Sequence, residues 1–540
     1  MGSPRSTTRC RRWCTLGVLV VSLLVVVLDS TVLNIALKTI ADPRAGLGAT
    51  QSELEWSINS YTLVFAGLLF TFGVIGDRLG RKRVLIAGTA LFGLASLLSA
   101  YARTPAGLIW ARALMGLGAA AMTAQTLAVI TEVFEPRERS RAIGVWAGAI
   151  GLGVAIGPVA GGLLLGHFWW GSVFLINVPI VAVGVMAMMF LVPESGHPAP
   201  GRLDPVGVFL SVFGLVALSY GIVAGGEKAS WLEPLVIGPI LSGLAALALF
   251  AWHETRVEQP ALDVRLFRHP RMSVAVGAVG LVYFAAAGVF FFTMLYMQSV
   301  RGLTPLQAGA MVLPFAAAHL FFSVRTTAIV RRFGAKAVCT AGMSLVTIAL
   351  AGYQFVDETT PPWVLLTVFF LQGSGMANVT PPAMDAVMSH LPREKAGAGS
   401  AIVNTARQVA AALGVAIAGS VVSTAYRGEM SGHLAVLPEG PRRAAGESIG
   451  ATMATVDRMG PEGRHLVEPA QHAFVHAMHL AAVVSTVIAF VGMVVVFRWM
   501  PGRDGADAPP GGSRSARRGC GREAVDEVVR AGCRRDRGGG

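Results

Sequence analysis

Fourteen apolar segments, each long enough to cross a lipid bilayer, recur between polar loops from residue 14 to residue 498. They run approximately over 14–37, 56–76, 83–102, 106–131, 141–165, 172–192, 205–225, 234–252, 274–297, 306–330, 336–356, 361–389, 398–424 and 474–498. A crossing helix needs about 20 mostly apolar residues, and each segment supplies that length. The chain therefore reads as an all-α polytopic membrane protein with fourteen transmembrane helices. A composition that is 54% hydrophobic and 14% charged excludes an ordinary soluble domain.

Charge placement gives sidedness. An even number of spans puts both termini on one side. The N-terminal arm and the loops near residues 80, 139, 202, 265, 333 and 394 hold most of the loop Lys and Arg, whereas the opposite short loops hold Lys38, Arg44, Arg103, Lys228 and Arg301. The positive-inside rule makes the termini and the loop near residue 80 cytoplasmic, in a cell membrane. The polar stretch 425–472 becomes a long external loop, and 499–540 reads as a disordered cytoplasmic tail. The formal charge of +13 lies between spans rather than along one polar face, so the partner is the bilayer and not nucleic acid. Arg5, Arg9, Arg11 and Arg12 precede the first apolar run as in a secretory signal, but the run continues to Leu37 without a small-residue cleavage site, so it is an uncleaved first span. Cys10, Cys14, Cys339, Cys520 and Cys533 have neither disulfide-framework nor zinc spacing. His472, His476 and His479 share a helical face with no carboxylate or cysteine alongside, so no metal is assigned.

The stretch Gly73 to Leu85 is the only place where a dense charge cluster ends one apolar segment and starts the next after so few residues. It reads as a tight hairpin loop. Arg78-Leu79-Gly80-Arg81-Lys82 is echoed by Arg332-Phe333-Gly334-Ala335-Lys336, Pro136-Arg137-Glu138-Arg139 by Pro392-Arg393-Glu394-Lys395, and Gly153 to Ile156 by Gly414 to Ile417. The offsets rise slowly, from about 254 to about 261 residues, as two related halves with small insertions would give. The organisation expected is an N-terminal arm (1–13), a six-helix bundle (14–192), a linker with inserted spans 7 and 8 (193–252), a second six-helix bundle (253–498, with the loop 425–472) and the tail (499–540). Parallel halves of this kind rock around a midplane site in transporters.

Few polar residues interrupt the spans. Asp29 lies about 13 residues, or ~20 Å, into span 1, and an ionised carboxylate there is costly unless it is paired or hydrated. It is either a proton-coupling group facing a cavity or a carboxylate tied to a neighbouring helix. Arg112 in span 4 needs a partner for the same reason, and the sequence does not choose one. Gly153, Gly157 and Gly161 of span 5, beside Pro158, fall near one face and allow close helix contact, as static packing or as a sliding surface. Asp385, Asn404, Arg407 and Gln408 form a polar set in spans 12 and 13, either anchoring loops or lining a path. His319 is a lone histidine in span 10. The repeat offset sets Tyr283 opposite Asp29, so the second half has no matching acid. Trp56, Tyr61, Phe65, Phe284, Phe291, Phe292 and Tyr296 are candidates for lining a cation-accepting cavity, or for belts and core.

These residues resemble a known family. Gly73-x-x-Gly76-Asp77-Arg78-x-Gly80-Arg81-Lys82 is similar to the signature loop of the major facilitator superfamily, Arg112 to Ala120 to its span 4 motif, and Gly148 to Gly162, ending Gly157-Pro158-x-x-Gly161-Gly162, to its antiporter motif. Leu28-Asp29-x-Thr31-Val32-x-Asn34-x-Ala36-Leu37 and Phe174-Leu-Ile-Asn177-Val-Pro179 resemble the fourteen-span drug:proton antiporters of the EmrB/QacA type. The resemblance implies the major facilitator fold: two six-helix bundles plus two inserted helices. It implies proton-driven efflux of amphipathic, often cationic compounds. Asp77 with Gly73, Arg78, Gly80, Arg81 and Lys82 would latch the cytoplasmic side, and Asp29 and Arg112 would take part in proton coupling. Two features depart from the family: Lys38 replaces a common proline, and His319 and Asn404 stand where some multidrug members carry further acids.

The function expected is a monomeric proton-coupled antiporter, driven by the proton gradient without a cofactor. It exports amphipathic, cationic drugs along a path that includes Asn34, Tyr61, Tyr283, His319, Asp385, Asn404 and Arg407. Its partners are the small-molecule substrate, protons and the lipid bilayer. An exporter dedicated to one endogenous metabolite or antibiotic is the alternative, followed by a non-transporting receptor. No nucleophile–base pair or metal set marks an enzyme.

Overall fold

The computed structural model describes residues 9–41, 46–49, 51–194, 204–228, 231–257, 270–389, 396–435, 438, 442, 445–446 and 448–500. The proposed tail, most of the N-terminal arm and the echo at Pro392 to Lys395 lie outside the described residues.

Among the described residues every regular element is a helix. In order they are α1 (Arg9–Ala41), α2 (Gln51–Leu79), α3 (Arg81–Ala100), α4 (Pro105–Val133), α5 (Pro136–His167), α6 (Ser172–Leu175), α7 (Asn177–Leu191), α8 (Pro205–Lys228), α9 (Pro234–Glu254), α10 (Pro270–Leu295), α11 (Pro305–Met311), α12 (Leu313–Phe333), α13 (Ala335–Gly352), α14 (Pro362–Ser389), α15 (Ala396–His433), α16 (Ile449–Met459) and α17 (Val467–Trp499). Among the described residues twelve spans are long and apolar enough to cross a membrane, and fourteen when the bent helices α2 and α5 are each counted as one span. The bend in α5, 40° between Arg137–Val154 and Val159–His167, falls at Gly157-Pro158, where proline removes a backbone donor and clashes with the preceding turn.

The packing has a two-fold pattern. α1 packs on α5 and α7, α2 on α4, and α3 on α4 and α7, while α10 packs on α15 and α17, α12 on α14, and α13 on α14 and α17. The bundles meet through exchanged pairs, α5 against α12 and α15 against α2. The inserted pair, α8 and α9, pack on each other, and α8 also touches both α2 and α15. It is tied on each side: Tyr220 stacks on Trp56 with centroids 6.1 Å apart, and the Trp231 indole donates to Ser420 at 3.2 Å.

The repeat has a backbone signature. Gly80 caps α3 at φ 104° and ψ 123°, and Gly334 caps α13 at φ 85° and ψ 153°. Only glycine occupies that region without strain, so both echoes keep it. The stretch Gly73 to Leu85 is correspondingly not a loop: α2 runs to Leu79 and α3 starts at Arg81, leaving one glycine between them. The charges that suggested a loop are accommodated as helix ends and ion pairs.

The stretch 425–472 also differs from expectation. α15 continues to His433, Ser448 caps α16 by accepting from the Ala451 amide at 3.2 Å, and α17 begins at Val467. Tyr426, Met430, Leu434, Ile449 and Leu466 are buried in the core of the second bundle. Apolar residues at helical spacing within a polar segment gave it a core to fold on.

At the end of the molecule carrying Gly80, Gly334 and the start of α5, the two bundles share one core. Ala383, Met384, Val387 and Met388 of α14 and Ile402 and Val403 of α15 join the buried cluster of the first bundle.

Candidate functional site

Arg112 is placed by α4, whose start is fixed by Pro105 and by Thr104, which accepts from the Gly107 amide at 3.1 Å. Two turns on, its guanidinium is 1% exposed. Nη1 donates to Asp29 Oδ2 at 2.5 Å and Nε to the Ser57 carbonyl at 3.2 Å. The Tyr61 ring lies 4.3 Å from Cζ, close enough for a cation–π contact. Asn177 approaches Asp29 Oδ1 at 3.5 Å and donates to Ser96 Oγ at 3.1 Å. Helices α1, α2, α4 and α7 therefore converge on one buried ion pair. Asp29 faces Arg112 rather than an open cavity because the guanidinium supplies the counter-charge that water would otherwise provide. Two ions of opposite sign with their remaining sites hydrogen-bonded can stay in a low-dielectric interior, while either alone is strongly unfavourable.

A second network gathers at the Gly80 end. Arg81 contacts Asp77 Oδ1 at 2.9 Å through Nε and Nη2, and its Nη1 reaches Glu132 Oε2 at 2.9 Å and the Ala128 carbonyl at 3.3 Å. This staples α2, α3 and α4. Gln125 donates to the Phe72 carbonyl at 2.6 Å and fills the space beside Gly76. Lys82 donates to the Met189 carbonyl at 2.8 Å, and Arg78 is half-buried at the end of α2. Gly73 is buried within α2.

The glycines of α5 sort onto two neighbours. Gly153 and Gly157 lie against α1, where an added Cβ on Gly153 would meet Val27 at 2.8 Å and one on Gly157 would meet Thr31. Gly144, Gly148 and Gly151 lie against Ser323, Leu320 and His319 of α12 in the other bundle. At the far end an added Cβ on Gly162 would meet Leu306 at 3.8 Å, and Gly161 is buried. One helix thus seats the first bundle internally and faces the second. Pro158 lies in the helix, its side chain outside the described set.

Between the bundles is a cavity of about 160 Å³, walled by α5 (Ile150, Gly151, Val154), α10 (Tyr283, Ala286, Ala287, Phe290), α12 (Phe315, His319) and α14 (Gln372, Met376). His319 and Phe315 stack with centroids 5.7 Å apart, and His319 Nε2 lies 3.0 Å from the Ala147 carbonyl, which makes that nitrogen the donor. Arg407 is 6% exposed, with Cζ 5.5 Å from the Tyr283 centroid.

Of the sequence candidates, Tyr283 and His319 meet at the cavity and Arg407 stands behind Tyr283. Tyr61 packs on Arg112 instead, and Asn404 is buried, donating to the Ser400 carbonyl at 2.9 Å. Asp385 accepts from Ser140 Oγ at 2.7 Å, a contact from α14 of one bundle to α5 of the other. The Asn34 side chain falls outside the description. The aromatics of the cavity are Tyr283, Phe290 and Phe315 rather than Phe284, Phe291 and Phe292, because the rotation of α10 turns a different face inward. Glu132, Ser140 and Gln372 were missed, although each is a polar residue at or inside an apolar span.

A prediction follows from the Ser140–Asp385 contact. A hydrogen bond to a charged group contributes about 1.5–3 kcal/mol, or roughly 10- to 150-fold in an equilibrium. Asp385→Ala should open the Gly80 end, seen as a longer distance between spin labels at the exposed positions 141 and 389 in pulsed EPR. An unchanged distance distribution would refute it.

The comparisons with known proteins agree with this architecture. The sequence profile of the Major Facilitator Superfamily matches residues 19–415. Methyl viologen resistance protein SmvA of Salmonella typhimurium is 33% identical over 89% of this chain and 98% of its own. Multidrug efflux pump LfrA of Mycolicibacterium smegmatis is 31% identical over 92% and 98%. The tetracenomycin C resistance and export protein of Streptomyces glaucescens is 30% identical over 91% and 92%. Among solved structures, the human organic anion transporter MFSD10 superposes with a TM-score of 0.60 at 14% identity, covering 90% of this chain and 99% of that one. The proton:xylose symporter XylE gives 0.59 at 13%, covering 92% and 97%. With twelve to fourteen spans among the described residues, paired bundles and relatives of this kind, the chain belongs to the Major Facilitator Superfamily, among its drug efflux and resistance transporters.

Proposed function

We propose that the protein is a proton-coupled antiporter that exports amphipathic small molecules across the cytoplasmic membrane, with both termini and the Gly80 end cytoplasmic. The observation that carries this reading is the buried Asp29–Arg112 pair in a bundle that meets its counterpart around a cavity. A proton on Asp29 removes the charge that Arg112 balances, so protonation changes the energy of this packing by several kcal/mol. Asp29 shares α1 with Val27 and Thr31, the seat of the α5 glycines, and α5 continues along α12 to the cavity wall. Protonation and substrate then bias one two-state equilibrium in opposite directions. Asp77, Arg81 and Glu132 hold the first bundle rigid while Ser140–Asp385 and the shared core close the cytoplasmic end. The resistance and efflux functions named for the relatives support export.

The test is flux in everted membrane vesicles. Substrate uptake should accelerate when an inside-acid gradient is imposed, and adding substrate should dissipate that gradient. Gradient-independent uptake would overturn the antiport reading. A narrower reading, export of a single compound, is favoured by the relative named for tetracenomycin C resistance and export, and a one-compound profile in a susceptibility panel would single it out.

A further inference from the structure

The polar content of the cavity wall is unusual for a site meant for cations. Among the described residues it holds no Asp or Glu; the polar wall residues are Tyr283, His319 and Gln372. Gln372 is fully buried, and among the described residues neither its Oε1 nor its Nε2 has a hydrogen-bond partner. A buried amide with both ends unsatisfied is unfavourable, and a ligand offering one donor and one acceptor would remove that cost. Arg407, also buried, forms no ion pair with a described residue and lies over the ring of Tyr283. The guanidinium lies against the Tyr283 ring from behind the cavity wall and places a positive charge beside the site. The volume of about 160 Å³ decides the size of what is seated there. An apolar cavity of about 150 Å³ holds one benzene-sized ring, so the site anchors one ring of a larger molecule.

We propose that this cavity selects an aromatic compound without positive charge, carrying a neutral or acidic hydrogen-bonding group. Gln372 reads that group, Arg407 sets the charge preference, and Phe290, Phe315 and the Phe315–His319 stack hold the ring. The sequence resemblance led to the expectation of cationic drugs; the wall of the cavity favours their neutral and acidic counterparts. The inference rests on the transport reading only in taking the cavity as the substrate's seat.

The test uses one ring system in three charge states. The full-length protein in lipid nanodiscs, with no gradient, is titrated with 2-naphthamide, 2-naphthoate and 2-naphthyltrimethylammonium, and affinity is read by calorimetry. The amide or the carboxylate should bind at least tenfold more tightly than the cation. Gln372→Leu should weaken the amide about tenfold. Gln372→Glu, which keeps the shape and adds a charge, should turn the preference toward the cation. Arg407→Gln should weaken the carboxylate relative to the amide. Cation binding equal to or tighter than both counterparts, or amide binding indifferent to Gln372→Leu, would overturn the proposal. Because no gradient is present, a failed antiport experiment leaves these titrations standing, and failed titrations leave the gradient experiment untouched.

Discussion

Replacing Asp29 with Asn should reduce gradient-driven export to the de-energised rate while leaving a folded protein in the membrane. Asparagine has the same shape, and its amide oxygen can still accept from Arg112 Nη1, while Arg112 Nε keeps its bond to the Ser57 carbonyl and the guanidinium its contact with Tyr61. The geometry is retained and the titratable proton is lost. Removing one partner of a buried ion pair costs about 3–5 kcal/mol, and the remaining contacts of Arg112 offset part of that. Some loss of thermal stability is therefore expected along with the loss of coupling. The double variant Asp29→Asn with Arg112→Met separates the two effects. It leaves no uncompensated charge, so stability should recover toward the parent while export stays absent. Undiminished proton-linked export by the single variant would remove Asp29 from the mechanism, and recovered export in the double variant would show that the pair serves structure alone.

Arg81→Ala should have the largest effect on stability. The side chain is 4% exposed and balances Asp77 and Glu132, which face it from α2 and α4. Truncation leaves two carboxylates close together at a buried junction of three helices, a loss of about 3–5 kcal/mol. The readouts are abundance in the membrane and the melting temperature of the purified protein. Arg81→Lys keeps the charge but not the fork that serves two carboxylates at once, so it should fall between the two. A melting temperature unchanged in Arg81→Ala would show that the network contributes little to the first bundle.

Much of the plan was legible in the sequence because it depends on neighbouring residues. Apolar runs of membrane length placed the spans, twelve continuous ones among the described residues and the two bent helices α2 and α5. Gly80 and Gly334, both at positive φ, bear out the repeat read from their flanking basic residues. The glycines of α5 were recognised as contact residues, and Asp29 and Arg112 as residues needing partners. Local pattern also misled: the charges of Gly73 to Leu85 and the polarity of 425–472 both suggested loops, where the chain is mostly helical.

Tertiary structure alone decided which of these residues meet. Asp29 and Arg112 are 83 residues apart, and Ser140 and Asp385 are 245 apart. Nothing in either local sequence names the other, because each contact depends on which helices are neighbours and how each is turned about its axis. Those rotations follow from the packing of all the spans together. The same rotations put Gly153 on α1 and Gly148 on α12, and turned Gln372, one polar residue in an apolar span, into part of the cavity wall. The sequence determined the helices and the polar groups they had to bury; the packing determined which group balances which.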